Sequence, residues 1–298
     1  MNSVVGIDIG GSHITTALVD LEKKAILDHS LHRSRVNCHG SARQIIDSWC
    51  HEIENSFSKL GEPGPQSRKH WKIGIAMPGP FDYENGVSLI SGLDKYDALY
   101  GLNVRTLLSD ALGMQPAHVL LKNDAACFLD GELFAGAGQG YQDVLGITLG
   151  TGFGTAFGIN GVAVDAELWQ TPFGDGLAED HFSTKWFIKQ ADLINGSVIQ
   201  GVKDLIVNPA HAVIKEQLFS KFSEHLALFF KDLLTRRGAP DLIIVGGNIA
   251  QAKDCFWEGL HLGLRKHQLN LKFVISELGE NAALLGAASL WKKTTVLT

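Results

Sequence analysis

The feature that most constrains this chain is a pattern that occurs twice. Val4 to Asp20 reads VVGIDIGGSHITTALVD. An apolar run carrying one acid, Asp8, breaks at Gly10-Gly11, and a second β-rich run, His13 to Val19, follows at once. Strand, tight turn, strand is the reading. Glycines at such a turn let the backbone approach a ligand closely and aim bare N–H groups at it. The layout returns 140 residues later as VLGITLGTGFGTAFGIN, Val144 to Asn160, with Val4/Val144, Gly6/Gly146, Ile7/Ile147, Gly10/Gly150 and Thr15/Thr155 in step without a gap. So long a period is not that of a solenoid, whose repeats run about 20–50 residues. It predicts a duplicated fold, two similar lobes facing each other across a cleft.

Neither loop fits the commoner phosphate motifs. A P-loop needs a Gly-Lys dipeptide, which the chain lacks. A dinucleotide fingerprint opens a helix, whereas Gly150-Thr-Gly-Phe-Gly154 opens onto Thr155, Ala156 and Phe157, which read as another strand. Two hairpin glycine loops, one per lobe, would instead clamp a polyphosphate from both sides.

A chain of 298 residues can build two cores. Glycine, at 33 residues, is about half again its usual share, as several close backbone–ligand approaches require. A net charge of −6 without a run of five or more like charges argues against a nucleic-acid surface. Cys38, Cys50, Cys127 and Cys255 are far apart and read as reduced thiols in a cytoplasmic protein. No apolar run is long enough for a membrane span, and the start lacks a signal-peptide pattern. The first strand begins so soon after Met1 that no leading domain is expected.

Further along, Ala25 to Val36 reads as a third strand and Ser41 as the N-cap of a helix through Ile45, Trp49, Ile53, Phe57 and Leu60, ended by Gly61 to Pro65. Trp71 to Met77 is a buried-type strand, and Asp82 to Leu99 reads as a polar surface loop. His118 to Leu121 is a strand delivering Asn123-Asp124, after which Ala125 to Phe134 continues as a helix. In the second half, Asp165 to Glu179 is irregular and Gly196 to Asn208 resists assignment. Val213 to Arg236 is a long amphipathic helix, Leu242 to Val245 a strand ending in Gly246-Gly247, and Leu284 to Trp291 a closing helix. Strands and helices alternate within each half, so each is an α/β lobe with a mixed sheet. The expected division is a smaller lobe over 1–122, joined by the C-terminal helix 284–298, and a larger one over 123–283.

These motifs resemble the ROK (repressor, open reading frame, kinase) family of sugar kinases in the actin-like ATPase superfamily. Gly6-Ile-Asp-Ile-Gly-Gly-Ser12 is similar to the first phosphate motif, with Ser12 where Thr is usual. Gly74-Ile-Ala-Met-Pro-Gly79-Pro80 resembles the strand before the sugar loop. Asn123-Asp124-Ala-Ala126 with Glu132 resembles the catalytic motif, and Leu149-Gly-Thr-Gly152 the second phosphate motif. Val245-Gly-Gly-Asn248 resembles the adenosine motif and Leu284-Leu-Gly-Ala-Ala288 the terminal helix. Each is weak alone, but six occur in the right order along nearly the whole chain. The resemblance implies a duplicated actin-like (ribonuclease H-like) α/β fold. It also implies ATP and Mg²⁺, transfer to a sugar hydroxyl (commonly the 6-hydroxyl of a hexose), and a homodimer.

The chain departs from that family at its sugar loop. Members carry Gly-Glu-x-Gly-His and then a cysteine cluster that binds zinc. Here Ala166-Glu-Leu-Trp-Gln170 keeps the acid as Glu167, Gln170 replaces the His, and no cysteine lies between Cys127 and Cys255. No zinc is expected. Ser91-Gly92-Leu93 stands where a sugar-binding Asn is usual, and Ala178-Glu179-Asp180 resembles the segment with a second sugar-binding Glu.

The roles follow from chemistry and resemblance together. Phosphoryl transfer needs an aligned hydroxyl and a neutralised triphosphate. Asp124 is the candidate base, and Asn123 a hydrogen-bonding neighbour; read blandly, the pair caps a helix. Asp8 would hold Mg²⁺ through water, since an acid inside an apolar strand is costly as a mere turn former. Gly10, Gly11, Ser12, Gly150, Thr151 and Gly152 would take phosphate, and Gly246 and Gly247 the nucleoside. Gly79, Asn123, Asp124, Glu167 and Glu179 would line the sugar site, the two glutamates being otherwise solvated loop acids. Of the scattered histidines, His181 alone falls beside a candidate, Glu179. The leading expectation is an ATP-dependent sugar kinase. The alternatives are a sugar-sensing regulatory protein that has lost catalysis and a repressor, whose winged helix would have to precede Val4.

Overall fold

A computed structural model describes residues 3–58 and 70–294; the segment Gly61 to Pro65 expected to end the first helix lies outside them. The described residues form two compact units. The first opens with β1 (Ser3–Ile9) and β2 (His13–Asp20), the expected hairpin, paired from Ser3↔Asp20 to Ile9↔Ile14. The expected third strand is split: β3 (Ala25–Ile26) and β4 (His32–Arg35) both pair with β2, with Ser30 turned inward between them. Its polar residues break the alternation a single strand would need. Helix α1 (Ala42–Phe57) starts at Ser41 through a capping box with Gln44. It buries Ile45, Trp49, Ile53 and Phe57 at helical spacing.

β5 (Ile73–Met77) follows, buried throughout. The stretch expected to be a loop holds a small hairpin, β6 (Phe81–Asp82) and β7 (Val87–Ser88), and then the wholly buried Tyr96 and Leu99. After α2 (Val104–Leu112) and β8 (Val119–Asn123) the first sheet runs β3-β2-β1-β5-β8, with β5 and β8 parallel to β1. Helix α3 (Asp124–Ala135) leaves directly from β8.

The second unit repeats the plan. β9 (Asp143–Leu149) and β10 (Phe153–Ile159) form the second hairpin. β11 (Val162–Asp165) follows, then a small hairpin of β12 (Pro172–Phe173) and β13 (Gly176–Leu177). Helices α4 (Ala178–Phe182), α5 (Thr184–Asn195), α6 (Val202–Val207) and α7 (Ala212–Arg237) come next. β14 (Leu242–Gly246), α8 (Lys253–Lys266) and β15 (Phe273–Ile275) complete the unit. Its sheet runs β10-β9-β14-β15 with β14 and β15 parallel to β9, the order β2-β1-β5-β8 over again. The long helix α7 lays Leu218, Phe222, Leu226, Phe229 and Phe230 into a core with Phe153, Phe182 and Phe256.

The last helix, α9 (Ala282–Thr294), belongs to the first unit. The contact is made by glycines. A Cβ on Gly6, Gly74 or Gly131 would collide with the carbonyl oxygen of Leu284, Ala287 or Ala282, and one on Gly286 with that of Cys127. Bare backbone on β1, β5 and α3 thus lets α9 lie against all three. Trp291 finishes the contact, its indole N–H donating to the Ile73 carbonyl at 2.9 Å.

This packing moves the boundary expected at 122. The division falls after Gly140, because α3 is buried on nearly every side from Ala125 to Glu132 and packs on α9. Gly161–Val164 also groups with the first unit, Ala163 donating its N–H at 2.9 Å to Asp130, which is ion-paired to Lys122. No helix among the described residues is long and apolar enough to cross a membrane.

Candidate active site

In the first unit Asp8 occupies the one part-exposed position within the run Val4 to Ile9. Burial pushes its carboxyl up from 3.8 to about 7; the negative charge of Asp124 adds to the rise, Arg33 opposes it and Glu280 adds a little. The turn beyond it closes with the Gly10 N–H on the His13 carbonyl at 2.8 Å. Gly11 and Ser12 stand exposed at its tip. Tyr96 reaches this turn from the far end of the supposed surface loop, its hydroxyl donating to the Gly10 carbonyl at 2.6 Å.

Asn123 and Asp124 divide two tasks between them. Asn123 is the N-cap of α3, its side-chain oxygen accepting from the Ala126 N–H at 3.0 Å. Its amide nitrogen donates to the Tyr83 hydroxyl at 3.4 Å, and that hydroxyl donates to the Met77 carbonyl at 2.9 Å. Gly79 stands against the same hydroxyl, which would lie 3.4 Å from a Cβ on it. Asp124 begins the helix and accepts the neighbouring Ala125 N–H at 2.9 Å on Oδ1. Burial raises its pKa; that hydrogen bond and the positive charge of Lys95 hold the rise back.

In the second unit the Gly150 carbonyl accepts twice from Thr184, from its N–H at 2.8 Å and its hydroxyl at 2.9 Å. Gly152 packs on Glu179, whose Oε2 would sit 2.7 Å from a Cβ there and accepts the Phe153 N–H at 3.1 Å. Glu179 is therefore a brace of the second glycine loop as well as a candidate sugar ligand. Gly247, at φ +87°, lies so close to the Leu149 backbone that a side chain would collide with it. The structure thus brings Gly246-Gly247 against the strand that leads into Gly150, Thr151 and Gly152. Glu167 is exposed in a left-handed conformation at φ +48°, accepting from the Gln170 amide at 3.3 Å.

The stretch where the resemblance puts a zinc cluster is held by rings. Phe173 on β12 packs edge-on to His181, His225 and Phe229, at 5.1, 5.8 and 5.9 Å between centroids. The imidazoles of His181 and His225 meet Nδ1 to Nδ1 at 3.3 Å, and Asp175 lies 3.2 Å from His181 Nε2. Burial, with His181 beside it, pushes His225 down to about 4. Among the described residues no three ligating side chains come together for a metal.

Tyr83, Tyr96 and Lys95, which stand against Asn123, Gly10 and Gly11, are residues beside the candidate site that sequence reasoning missed. They lie in a segment whose polarity reads as surface, with the two tyrosines thirteen positions apart.

Comparison with known proteins fits this geometry. The chain is 25% identical to the glucokinase of Thermotoga maritima, covering 97% of both chains. It is 28% identical to the N-acetyl-D-glucosamine kinase of Mannheimia succiniciproducens, over 96% of this chain and 98% of that one. The ROK hexokinase structure from Thermus thermophilus superposes over 98% of this chain and 99% of its own with a TM-score of 0.77 at 23% identity, a likeness of fold. Fold and relatives define a class, a carbohydrate kinase on the duplicated actin-like ATPase fold. Within it the chain belongs to the ROK family, whose model matches residues 4–168.

Proposed function

We propose that this protein transfers the γ-phosphate of ATP to the 6-hydroxyl of a hexose or hexose derivative, with Asp124 as general base. The observation that carries this reading is the division of labour at the start of α3. Capping is done by Asn123, so the Asp124 carboxylate is not needed for it. It stays within electrostatic reach of Asp8 in the unit that holds the Gly10-Gly11 turn. Burial raises its proton affinity, the direction that suits an acceptor working near neutral pH.

In the proposed reaction the sugar oxygen attacks the γ-phosphorus, its proton passes to an Asp124 oxygen, and ADP leaves with the electrons of the broken P–O bond. Little covalent help is required, so positioning and charge carry the catalysis. Gly10, Gly11, Ser12, Gly150, Thr151 and Gly152 are assigned to phosphate, the N–H groups of Gly10 and Gly150 being engaged in closing their own turns, and Gly246 and Gly247 to the nucleoside. Gly79, Asn123, Glu167 and Glu179 are assigned to the sugar. Asp8 fits Mg²⁺, which takes one or two carboxylates and fills its other positions with water and phosphate oxygens. When bound, that ion neutralises charge on the triphosphate. Asp8 itself, part-buried and facing a second acid, is the group whose ionised form a cation would relieve.

The test is a panel of neutral and N-acetylated hexoses with MgATP, read by ADP release, for the wild type and Asp124→Asn. The amide keeps size and hydrogen bonding but cannot take the proton. Turnover should drop about 10²–10⁴-fold, with little change in melting temperature because Asn123 caps the helix. A variant keeping more than about a tenth of wild-type turnover would remove Asp124 as the base. Sugar binding without ADP release across the panel would favour the sensor.

A further inference from the structure

One cation near this site is left without a task. Lys95 is half-buried and closes no ion pair among the described residues. The acids beside it in sequence are turned elsewhere: Asp94 faces His39 at 3.9 Å, and Asp97 accepts the Gly92 N–H at 2.6 Å. The Lys95 stem crosses the glycine turn, its Cδ lying 3.6 Å from where a Gly11 side chain would begin. Its charge is felt at Asp124.

The backbone holds Lys95 there. Asp94 and Tyr96, its two neighbours, both sit in the left-handed region at φ +56° and +57°, uncommon for any residue but glycine and more so for a bulky one. Tyr96 is pinned at three points. Its hydroxyl is on Gly10 at 2.6 Å, its N–H is on the Cys38 carbonyl at 2.8 Å, and its ring is edge-on to Trp49 at 5.4 Å. The Lys95 stem lies against the glycine turn, where a lysine kept only for solubility would extend into water. With its stem against the turn assigned to phosphate and its charge within reach of the proposed base, the anion that would complete the arrangement is the group that passes between them.

We propose that Lys95 is a further catalytic residue, its ammonium neutralising the phosphoryl group in transit between the Gly10-Gly11 turn and Asp124. The assignment rests on the kinase reading above. Lys95 stays protonated throughout: the new bond joins sugar oxygen to phosphorus, the broken one frees ADP, and the sugar proton goes to Asp124. The charge placed where negative charge develops acts on the transition state more than on the bound sugar.

The experiment compares wild type, Lys95→Met, Lys95→Arg and Asp124→Asn. Calorimetry measures affinity for MgADP and for a magnesium complex of a non-hydrolysable ATP analogue, and steady-state kinetics uses the best sugar of the panel. Lys95→Met should leave MgADP affinity within about twofold and sugar KM within a few-fold, while kcat falls about 10²–10³-fold. Any preference of the wild type for the triphosphate over the diphosphate should fall about tenfold, and Lys95→Arg should recover part of both losses. If Lys95→Met melts early, Lys95→Gln is read in its place. Turnover of the Met or Gln variant within about threefold of wild type overturns the proposal. So does a loss confined to sugar KM and larger for uronates than for neutral hexoses, which would place Lys95 on the sugar. If Asp124→Asn is inactive while Lys95→Met is not, Lys95 alone falls. If the wild type releases no ADP with any sugar, the kinase reading fails and takes this one with it.

Discussion

Asp8→Asn should make the free protein more stable and the kinase inactive, and the size of the first effect follows from the carboxyl's surroundings. Burial and the neighbouring charge of Asp124 raise the Asp8 pKa from 3.8 in the unfolded chain to about 7 in the fold. Between these values the folded state holds a proton that the unfolded state has lost. Stability therefore falls as pH rises from about 4 to about 7 and stays at the lower level above. At about 1.4 kcal/mol per unit, the shift of roughly 3 units sets a ceiling of about 4 kcal/mol. Asp8 keeps some contact with solvent, and a realistic effective dielectric near such a group brings the expectation to about 2 kcal/mol.

Asn has the same shape and does not ionise. At pH 8, without nucleotide or Mg²⁺, it should stabilise by about 2 kcal/mol, or roughly 4–8 °C in melting temperature. At pH 5 roughly a third of the gap should remain, since that pH stands about a third of the way from 3.8 to 7. MgATP should close or reverse the gap, because only the wild type can offer a carboxylate to the cation. Thermal melts at both pH values, with and without MgATP, measure all of this. Turnover of the variant should be at the limit of detection. A variant less stable than wild type at pH 8, or an equal gap at both pH values, refutes the reasoning.

Two further outcomes are expected. Gly131→Ala improves helix propensity by about 1 kcal/mol, but its methyl would drive into the Ala282 carbonyl of α9. Overpacking of about 1–3 kcal/mol should win; a melting temperature at or above wild type would refute the close contact. His225, pushed down to about 4 from 6.5 by burial, contributes stability that is full above about pH 6.5 and is lost as pH falls towards 4. His225→Phe should flatten the stability profile over that window, and an unchanged profile in thermal melts would count against a buried neutral imidazole.

The duplicated hairpins were readable because period and punctuation agree: alternating apolar runs broken at Gly10-Gly11 and at Gly150 leave no other local reading. Asn123-Asp124 was readable as a pair, while its partition into cap and free carboxylate depends on the direction of β8. The lobe boundary was not readable. Helix α3 is buried on most of its faces, so its sequence carries no polar stripe to say which neighbour it packs on. The segment from Asp82 to Leu99 failed for the opposite reason. Its polar residues are exposed, but Tyr96 is buried through a contact with Gly10, far away in sequence. Short α6 fell below the length at which periodicity tells helix from loop.

Comparing the two hairpins separates what the fold needs from what the site needs. β1 and β9 run through the same order of inward and outward positions, with Gly6 and Gly146 at one place and Asp8 and Thr148 at another, both part-exposed. Threonine is a good strand residue and carries no charge to bury. Since β9 is built with threonine there, the architecture does not require an acid. In β1 the acid sits where ionisation works against the fold. A destabilising group at a position that a neutral residue fills in the sister strand is accounted for by chemistry and not by packing. On the proposed function, the cation would fall to the first hairpin, and the second, where Thr184 holds the Gly150 carbonyl and Glu179 the Phe153 N–H, would hold phosphate through backbone and hydroxyl donors.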